Sequence, residues 1–114
     1  MTSKIGLPMG SRPLPRAVVS GSERRAATED ALADLNPEAI WYDGLEDAIV
    51  GIGCQYSKSP VVVYEEGLII FTLMSEQEME FEEAWEYYSF NIQGMWVGDN
   101  TPIIMVGMDD LMER

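Results

Sequence analysis

Histidine is absent from this 114-residue chain, and cysteine occurs once, at Cys54. The lack of histidine excludes serine or cysteine catalysis with a histidine base, the usual zinc sites, and proton transfer by imidazole near neutral pH. A single cysteine excludes an internal disulfide and agrees with a reducing compartment. The chemistry that remains for an enzyme is that of carboxylates, acting as a general acid and base or as ligands of magnesium.

Long apolar segments are also lacking. The longest, residues 68–74, has seven residues and is interrupted by Thr72, whereas roughly 20 are needed to cross a bilayer. The basic N-terminus is not followed by the apolar region of a signal peptide. We therefore expect a cytoplasmic protein that does not interact with membranes, with one small core built from its 46% hydrophobic residues.

Basic side chains are scarce beyond residue 25. Residues 1–25 contain five of the seven lysines and arginines and one acid, whereas residues 26–114 contain two basic side chains and 19 acidic ones. Because residues 1–25 also contain three prolines and few apolar residues, we predict a flexible basic arm followed by an acidic domain, residues 26–114. Such an excess of negative charge is used for solubility, for a cationic partner, or to imitate a polyanion.

The apolar pattern of the acidic domain predicts an α+β fold, with two or three helices packed on a short β-sheet. We expect a first helix from Thr28, as N-cap, to about residue 35, where Asn36 and Pro37 end it. Helical spacing of apolar residues predicts a second helix over residues 45–52. Its apolar face would comprise Leu45, Ala48, Ile49 and Ile52.

Two β-branched segments, residues 61–64 and 103–106, predict strands that pair with each other. Between them, apolar residues recur at helical spacing over residues 81–92, which predicts a helix with Phe81, Trp85 and Tyr88 in the core. Gly94 is placed to end this helix. It begins either at Ser75, in a capping box with Glu78, or near Glu80. Residues 68–74 fit a buried strand or a buried helix, and periodicity does not decide between them.

Acidic residues are concentrated around this predicted helix. One row contains Glu78, Glu82 and Glu86, and a neighbouring row contains Glu76, Glu80 and Glu83. Like charges at helical spacing destabilise a helix by a few tenths of a kcal/mol per pair, and no basic side chain offsets them locally. The rows therefore indicate a use for negative charge, such as occupying the positions of nucleic-acid phosphates. The alternative is a helix face that is only solvated.

Aromatic side chains border these acids. Tyr87 falls on another face of the predicted helix, together with Met79 and Phe90. Aromatic residues bordered by charge are typical anchors of a protein interface or a homodimer. We therefore include Tyr87 among the candidate partner-binding residues, with the six glutamates. A packed strand that covers these side chains is the alternative.

Three further features of the sequence bear on possible chemistry. Asp43, Glu46 and Asp47 would bind a divalent cation if they met Asp99, although turns explain these residues more simply. The segment of residues 51–53 lacks the third glycine of a dinucleotide-binding loop. Cys54 is expected to be a small buried hydrophobe. We predict no metal, no cofactor and no catalytic residue.

Four segments of the acidic domain form a pattern: WYDGLEDAIVG at residues 41–51, PVVVY at 60–64, EEAWEYYSFNI at 82–92 and WVGDNTP at 96–102. Together they resemble a group of small acidic bacteriophage and prophage proteins, most without an assigned function. The resemblance runs from about residue 41 to 106. It implies a phage or prophage origin, a helper role and a helix over residues 66–76, and it implies no catalytic residue.

These observations favour a phage accessory protein that binds and blocks a host or defence protein stoichiometrically, without being an enzyme. An anti-CRISPR or anti-restriction protein fits this description. The partner would be a nucleic-acid-binding protein with a basic surface, while the acidic body itself would not bind nucleic acid. A second hypothesis is a self-assembling or virion-associated protein whose arm docks on the acidic body of a neighbouring copy. A third is a carboxylate-dependent metal enzyme.

Overall fold

The computed structural model describes residues 19–113, and its first element is helix α1, Gly21–Leu35. Ser20 is the N-cap: its Oγ accepts a hydrogen bond from Glu23 N (3.1 Å), and the Glu23 carboxylate accepts one from Ser20 N (3.0 Å). The prediction of Thr28 as N-cap is wrong, because Thr28 lies inside α1 and its hydroxyl donates to the Arg24 carbonyl (2.7 Å). Residues 21–25, which composition assigns to the arm, belong to α1. Residues 1–18 of the predicted arm lie outside the described residues.

Ser20→Ala is expected to lower the free energy of unfolding by about 1 kcal/mol, because the Glu23 N–H loses the hydroxyl oxygen that accepts its hydrogen bond at the start of α1. Chemical denaturation followed by circular dichroism measures the change. Ser22→Ala is the matched control. Ser22 is exposed, and its hydroxyl lies 3.2 Å from the Ser20 hydroxyl but does not accept the N–H of the cap. Alanine at this position favours the helix. Equal losses in the two variants would contradict the cap.

Helix α1 ends at Asn36, as predicted. The Asn36 side-chain amide donates hydrogen bonds to the Pro60 carbonyl (2.8 Å) and to Asn100 Oδ1 (2.9 Å). The end of α1 is therefore fixed to the sheet and to the loop that precedes the last strand.

Residues 45–52 are not a helix. A 3₁₀ turn, Glu46–Ala48, leads into strand β1, Ile49–Gln55. The pairing of β1 shifts register between Ile49 and Gly51, so Ile49 and Ile52 both reach the core side although they are three residues apart. Because of this bulge, apolar residues of a strand have the spacing of a helix face, which explains why the prediction of a helix over residues 45–52 is wrong. Tyr56 and Ser57 then turn the chain into β2, Lys58–Glu65, which contains the predicted strand 61–64.

Helix α2, Glu66–Glu76, follows β2 directly, so residues 68–74 are helical. Glu65 is its N-cap and accepts a hydrogen bond from Leu68 N (2.9 Å). Glu66 in the first turn favours the helix through its interaction with the positive end of the dipole. The segment forms a helix because its start is capped and acidic and its apolar face is buried.

Helix α3, Phe81–Tyr88, continues through a π-helical turn, Ser89–Gln93, to Gly94, which ends it as predicted. The start near Glu80 is confirmed; the alternative start at Ser75 is wrong because α2 extends to Glu76. Tyr88 is fully buried and Trp85 is half-buried. Phe81 is 55% exposed, so its assignment to the core is wrong; at the first position of α3 it only flanks Trp85.

Strand β3, Ile103–Met105, pairs with β2 as predicted, in parallel, and a short helix α4, Met108–Met112, follows. The strand order is β1-β2-β3, with β1 antiparallel to β2. The predicted α+β class is confirmed. The core lies between one face of the sheet and helices α1, α2 and α3. Among residues 19–113, no helix has the length and apolar character needed to cross a membrane.

Two hydrogen bonds satisfy polar groups inside this core. The Tyr64 hydroxyl oxygen accepts a bond from Tyr42 N (2.9 Å), and the Tyr88 hydroxyl donates to Glu66 Oε2 (2.8 Å). Burial raises the pKa of Tyr64 to about 12. These bonds connect β2 with the segment before β1, and α3 with the first turn of α2.

Candidate protein-binding surface

The six glutamates predicted to bind a partner lie along the connection between α2 and α3. Glu76 ends α2, Glu78 lies in the connection, Glu80 caps α3, and α3 carries Glu82, Glu83 and Glu86. All six side chains are exposed. We refer to these six residues as the acidic ridge.

The straight row of Glu78, Glu82 and Glu86 is not formed on one helix. Glu78 precedes α3 and has a positive φ of 57°, because the chain reverses direction there between two helices. Only Glu82 and Glu86 keep the predicted spacing of four residues within α3. The ridge is therefore a bent set of carboxylates around a helix–helix turn.

Two of the six carboxylates have a structural role. The Glu80 side chain accepts from the backbone of Glu83, and Glu83 Oε1 accepts from Glu80 N (3.4 Å). This reciprocal pair caps α3 in the way that serine and glutamate cap α1. Glu76, Glu78, Glu82 and Glu86 take no part in this cap, so variants at these positions can test charge without removing it.

Glu78→Gly is expected to raise the free energy of unfolding by about 0.5 to 1 kcal/mol, because a left-handed backbone is unfavourable for a residue with a Cβ atom. Urea denaturation measures the difference. Glu82→Gly removes the same charge from the first turn of α3. It should instead lower stability by about 1 kcal/mol, because glycine disfavours the helix and an acid at this end interacts favourably with the helix dipole. A loss of stability in both variants would show that Glu78 is not strained.

No basic side chain within residues 19–113 forms an ion pair with the ridge. The ion pairs within residues 19–113 all involve the guanidinium of Arg25. Its nitrogens lie 2.9 Å from a carboxylate oxygen of Glu29, 3.8 Å from one of Asp43 and 3.7 Å from one of Glu46. The guanidinium of Arg25 also stacks on Trp41, 3.9 Å from the ring centre. Three acids on and after α1 thus share one basic partner, whereas the ridge has none among residues 19–113.

An open groove of about 610 Å³ lies between α1, the segment before β1 and the end of α2. Gly44, with φ of 91°, turns the chain along its wall. The charged residues that line it are Arg25, Glu29, Glu46, Asp47 and Glu76. Because Glu76 belongs both to this groove and to the ridge, the negative surface continues from α3 towards α1.

Tyr87 borders the ridge on the side of this groove. It is 43% exposed and lines a hollow of about 290 Å³ with residues 41–45 and with Gln77, which also lines the groove. Phe90 is 79% exposed on the same helical segment, whereas Met79 packs against the core. The predicted apolar stripe is therefore reduced to Tyr87 and Phe90, two aromatic rings beside uncompensated carboxylates.

Asp43 and Glu46 face Arg25, whereas Asp99 lines a hollow near Trp96. No group of three or more acidic or cysteine side chains in the described part of the chain is arranged to share a metal ion. Cys54 is exposed, so its prediction as a buried residue is wrong: it lies on β1 at the register shift between Gly53 and Gln55, close to the hairpin turn.

Sequence reasoning missed the cluster around Arg25. The spacing of Arg25 and Glu29, four residues apart, was available as a signal once residues 21–25 are known to be helical. The contact with Trp41 joins residues 16 positions apart and has no local signal in the sequence.

No protein-family model matches the chain, and no curated protein and no solved structure is significantly similar to it.

Proposed function

We propose that this protein is a phage-encoded accessory protein that inhibits a host or defence protein by binding it, without catalysis. The acidic ridge and Tyr87 form the contact surface, and the partner is a nucleic-acid-binding protein whose basic surface they occupy. An anti-CRISPR or other anti-defence protein acting in the host cytosol fits this role.

The observation that carries the proposal is the uncompensated charge of the ridge. Six exposed carboxylates lie within 11 consecutive residues, and within residues 19–113 none of them pairs with a base. One of them, Glu78, occupies a left-handed position that glycine or asparagine would fill at lower energy. An arrangement selected only for stability would place lysines between these acids.

A basic protein surface suits the ridge better than any other class of partner. Residues 19–113 contain 20 acidic and three basic side chains, so their field repels nucleic acid and acidic membranes. A protein that binds phosphates has cations spaced to meet negative groups, and it releases counterions when carboxylates replace those phosphates. Tyr87 and Phe90 add the rigid aromatic contacts that commonly anchor an interface.

The resemblance of residues 41–106 to small acidic phage proteins supports the proposed origin. Its matching segments contain Glu82, Glu83 and Glu86 of the ridge, the groove wall at residues 44–47, and Tyr87. It does not cover α1 as far as Leu35, which supplies Arg25 and the opposite wall of the groove.

The test is capture of partners from bacterial lysate by the tagged full chain, at low and at moderate salt, followed by mass spectrometry and titration of the purified partner. We expect one nucleic-acid-binding protein, a 1:1 stoichiometry per site, and release as salt rises. The same titration should displace a fluorescent oligonucleotide from the partner.

Simultaneous binding of the oligonucleotide and of this protein to the partner would contradict the proposed blocking. Capture that does not depend on salt would contradict the charge-based contact.

A further inference from the structure

The face of the sheet that points away from the helices contains an apolar hollow of about 380 Å³ that the ridge does not reach. Strands β1, β2 and β3 and the loop before β3 form it. Its apolar lining includes Val61, Trp96 and Ile103, with Trp96 69% and Ile103 47% exposed. We call this area the outer sheet face.

Gly53 leaves room on this face for the side chains of neighbouring strands. A Cβ atom on Gly53 would lie 2.9 Å from Ile103 Cδ1 and 3.0 Å from Val63 Cγ2. Without it, the Ile103 side chain extends from β3 across β2 to Gly53 on β1. The exposed part of Ile103 and the Trp96 ring therefore present apolar surface on one side of the sheet, next to Met105, which is also exposed.

Charge distinguishes the outer sheet face from the rest of the molecule. One acid, Asp99, and one base, Lys58, line its hollow, whereas elsewhere residues 19–113 carry 19 acids and two bases. Asp99 and Lys58 form no ion pair with each other within their own chain. The face is thus nearly neutral on an otherwise strongly negative body.

We propose that the outer sheet face binds a second copy of this chain, forming a two-fold homodimer. Two bodies of net charge −13 repel each other, so they can associate only through a surface where acids are few, and this face provides one. In a two-fold interface each patch contacts its own equivalent, which allows Lys58 of each copy to meet Asp99 of the other. A partner attracted by negative charge would bind the acidic ridge instead.

The salt dependence of this dimer follows from its apolar contact and its like-charged bodies. Salt weakens the two Lys58–Asp99 contacts, but it screens the repulsion between two copies of net charge −13 to a greater extent and leaves the apolar contact intact. The dimer therefore becomes tighter as salt rises, which is opposite to the behaviour expected for the partner of the acidic ridge.

Sedimentation velocity of the full chain, over a range of protein concentrations and at two salt concentrations, tests the proposal. We expect a monomer–dimer equilibrium that shifts towards dimer at the higher salt. Ile103→Lys should weaken dimerisation at least tenfold, because it places a charge in the apolar contact. Phe90→Lys, the same type of change at another exposed apolar residue, should leave dimerisation unchanged, and circular dichroism checks that both variants are folded.

A charge exchange provides an independent measurement that does not alter the apolar residues. Lys58→Glu should weaken the dimer, and the double variant Lys58→Glu with Asp99→Lys should restore it. A wild-type monomer at all concentrations would overturn the proposal. A dimer that dissociates as salt rises, or that Ile103→Lys leaves intact, would also overturn it, and would indicate an electrostatic contact such as basic residues 1–18 on an acidic neighbour.

Discussion

Tyr64→Ala is expected to lower the free energy of unfolding by about 3 to 5 kcal/mol, most of the stability of a small domain. Tyr64 is fully buried in β2, its ring packs 5.0 Å from that of Tyr42, and its hydroxyl oxygen accepts the Tyr42 N–H. Alanine would leave a cavity next to the sheet and a buried amide without its acceptor. Urea denaturation should show a large shift of the midpoint, or no folded protein at all.

Tyr64→Phe removes the hydroxyl but keeps the ring, so it measures the contribution of the hydroxyl to stability in a protein that still folds. At neutral pH we expect a loss of about 1 to 3 kcal/mol, since the Tyr42 N–H loses its acceptor while the packing is retained. The variant also removes one group that ionises at high pH, which allows the same residue to be tested by the pH dependence of stability.

Burial raises the folded-state pKa of Tyr64 to about 12, against 10.0 in the unfolded chain. The neutral phenol is therefore favoured by folding: this stabilisation is complete below pH 10 and is lost as pH rises from 10 towards 12. The expected loss is about 1.4 kcal/mol by pH 11. Burial raises the pKa of Tyr42 as well, in the same direction.

Denaturation at pH 8 and pH 11 should show a smaller decline for Tyr64→Phe than for the wild-type chain. Tyr56→Phe is the control, because Tyr56 is 95% exposed in the hairpin turn and changes neither packing nor a buried bond. An identical decline in the wild-type chain and Tyr64→Phe would contradict the role assigned to burial.

The elements that could be predicted from the sequence are those in which the spacing of apolar residues matches the residues that are buried. The helix over residues 81–92 and the strand over residues 61–64 follow from spacing and β-branching alone, and both are present. Residues 45–52 misled because a bulge after Ile49 places Ile49 and Ile52 on one face of a strand. The same spacing is typical of a helix, and only the pairing with β2 distinguishes the two.

The start of α1 was missed for a different reason. Ser20 and Glu23 match a capping box, but the helix after them buries little beyond Thr28 and Leu32. Without an apolar period the segment resembles an arm in composition. Its contacts with residues 46–48 are tertiary, and they are not visible in the local sequence.

The acidic ridge could be predicted as a set of residues but not as a shape. Exposure of the six glutamates follows from their charge, whereas the bend at Glu78 depends on where α2 ends. The neighbouring groove was not predictable, because its walls come from α1, residues 44–47 and the end of α2, which are separated in the sequence and meet only in the folded chain. Likewise, the outer sheet face exists only once β3 has paired with β2.

Reversing Glu76, Glu78 and Glu86 to lysine is expected to weaken binding to the proposed basic partner at least 100-fold. Each substitution replaces an attraction by a repulsion, and loss of roughly 1 kcal/mol at each of three positions amounts to about two orders of magnitude. The three positions avoid the Glu80 and Glu83 cap. Lysine near the C-terminal ends of α2 and α3 also suits the helix dipole, so stability should not fall.

The matched control is the triple reversal of Asp30, Asp34 and Glu38, three exposed acids on and after α1. Both triple variants have the same net charge, −7 instead of −13, so they differ only in where the charge is changed. The ridge variant should lose binding and the steep decline with salt, whereas the control should lose less than about fivefold, through weaker long-range attraction. Equal losses would show that net charge alone attracts the partner; no loss in either would show that the acidic ridge is not the contact surface.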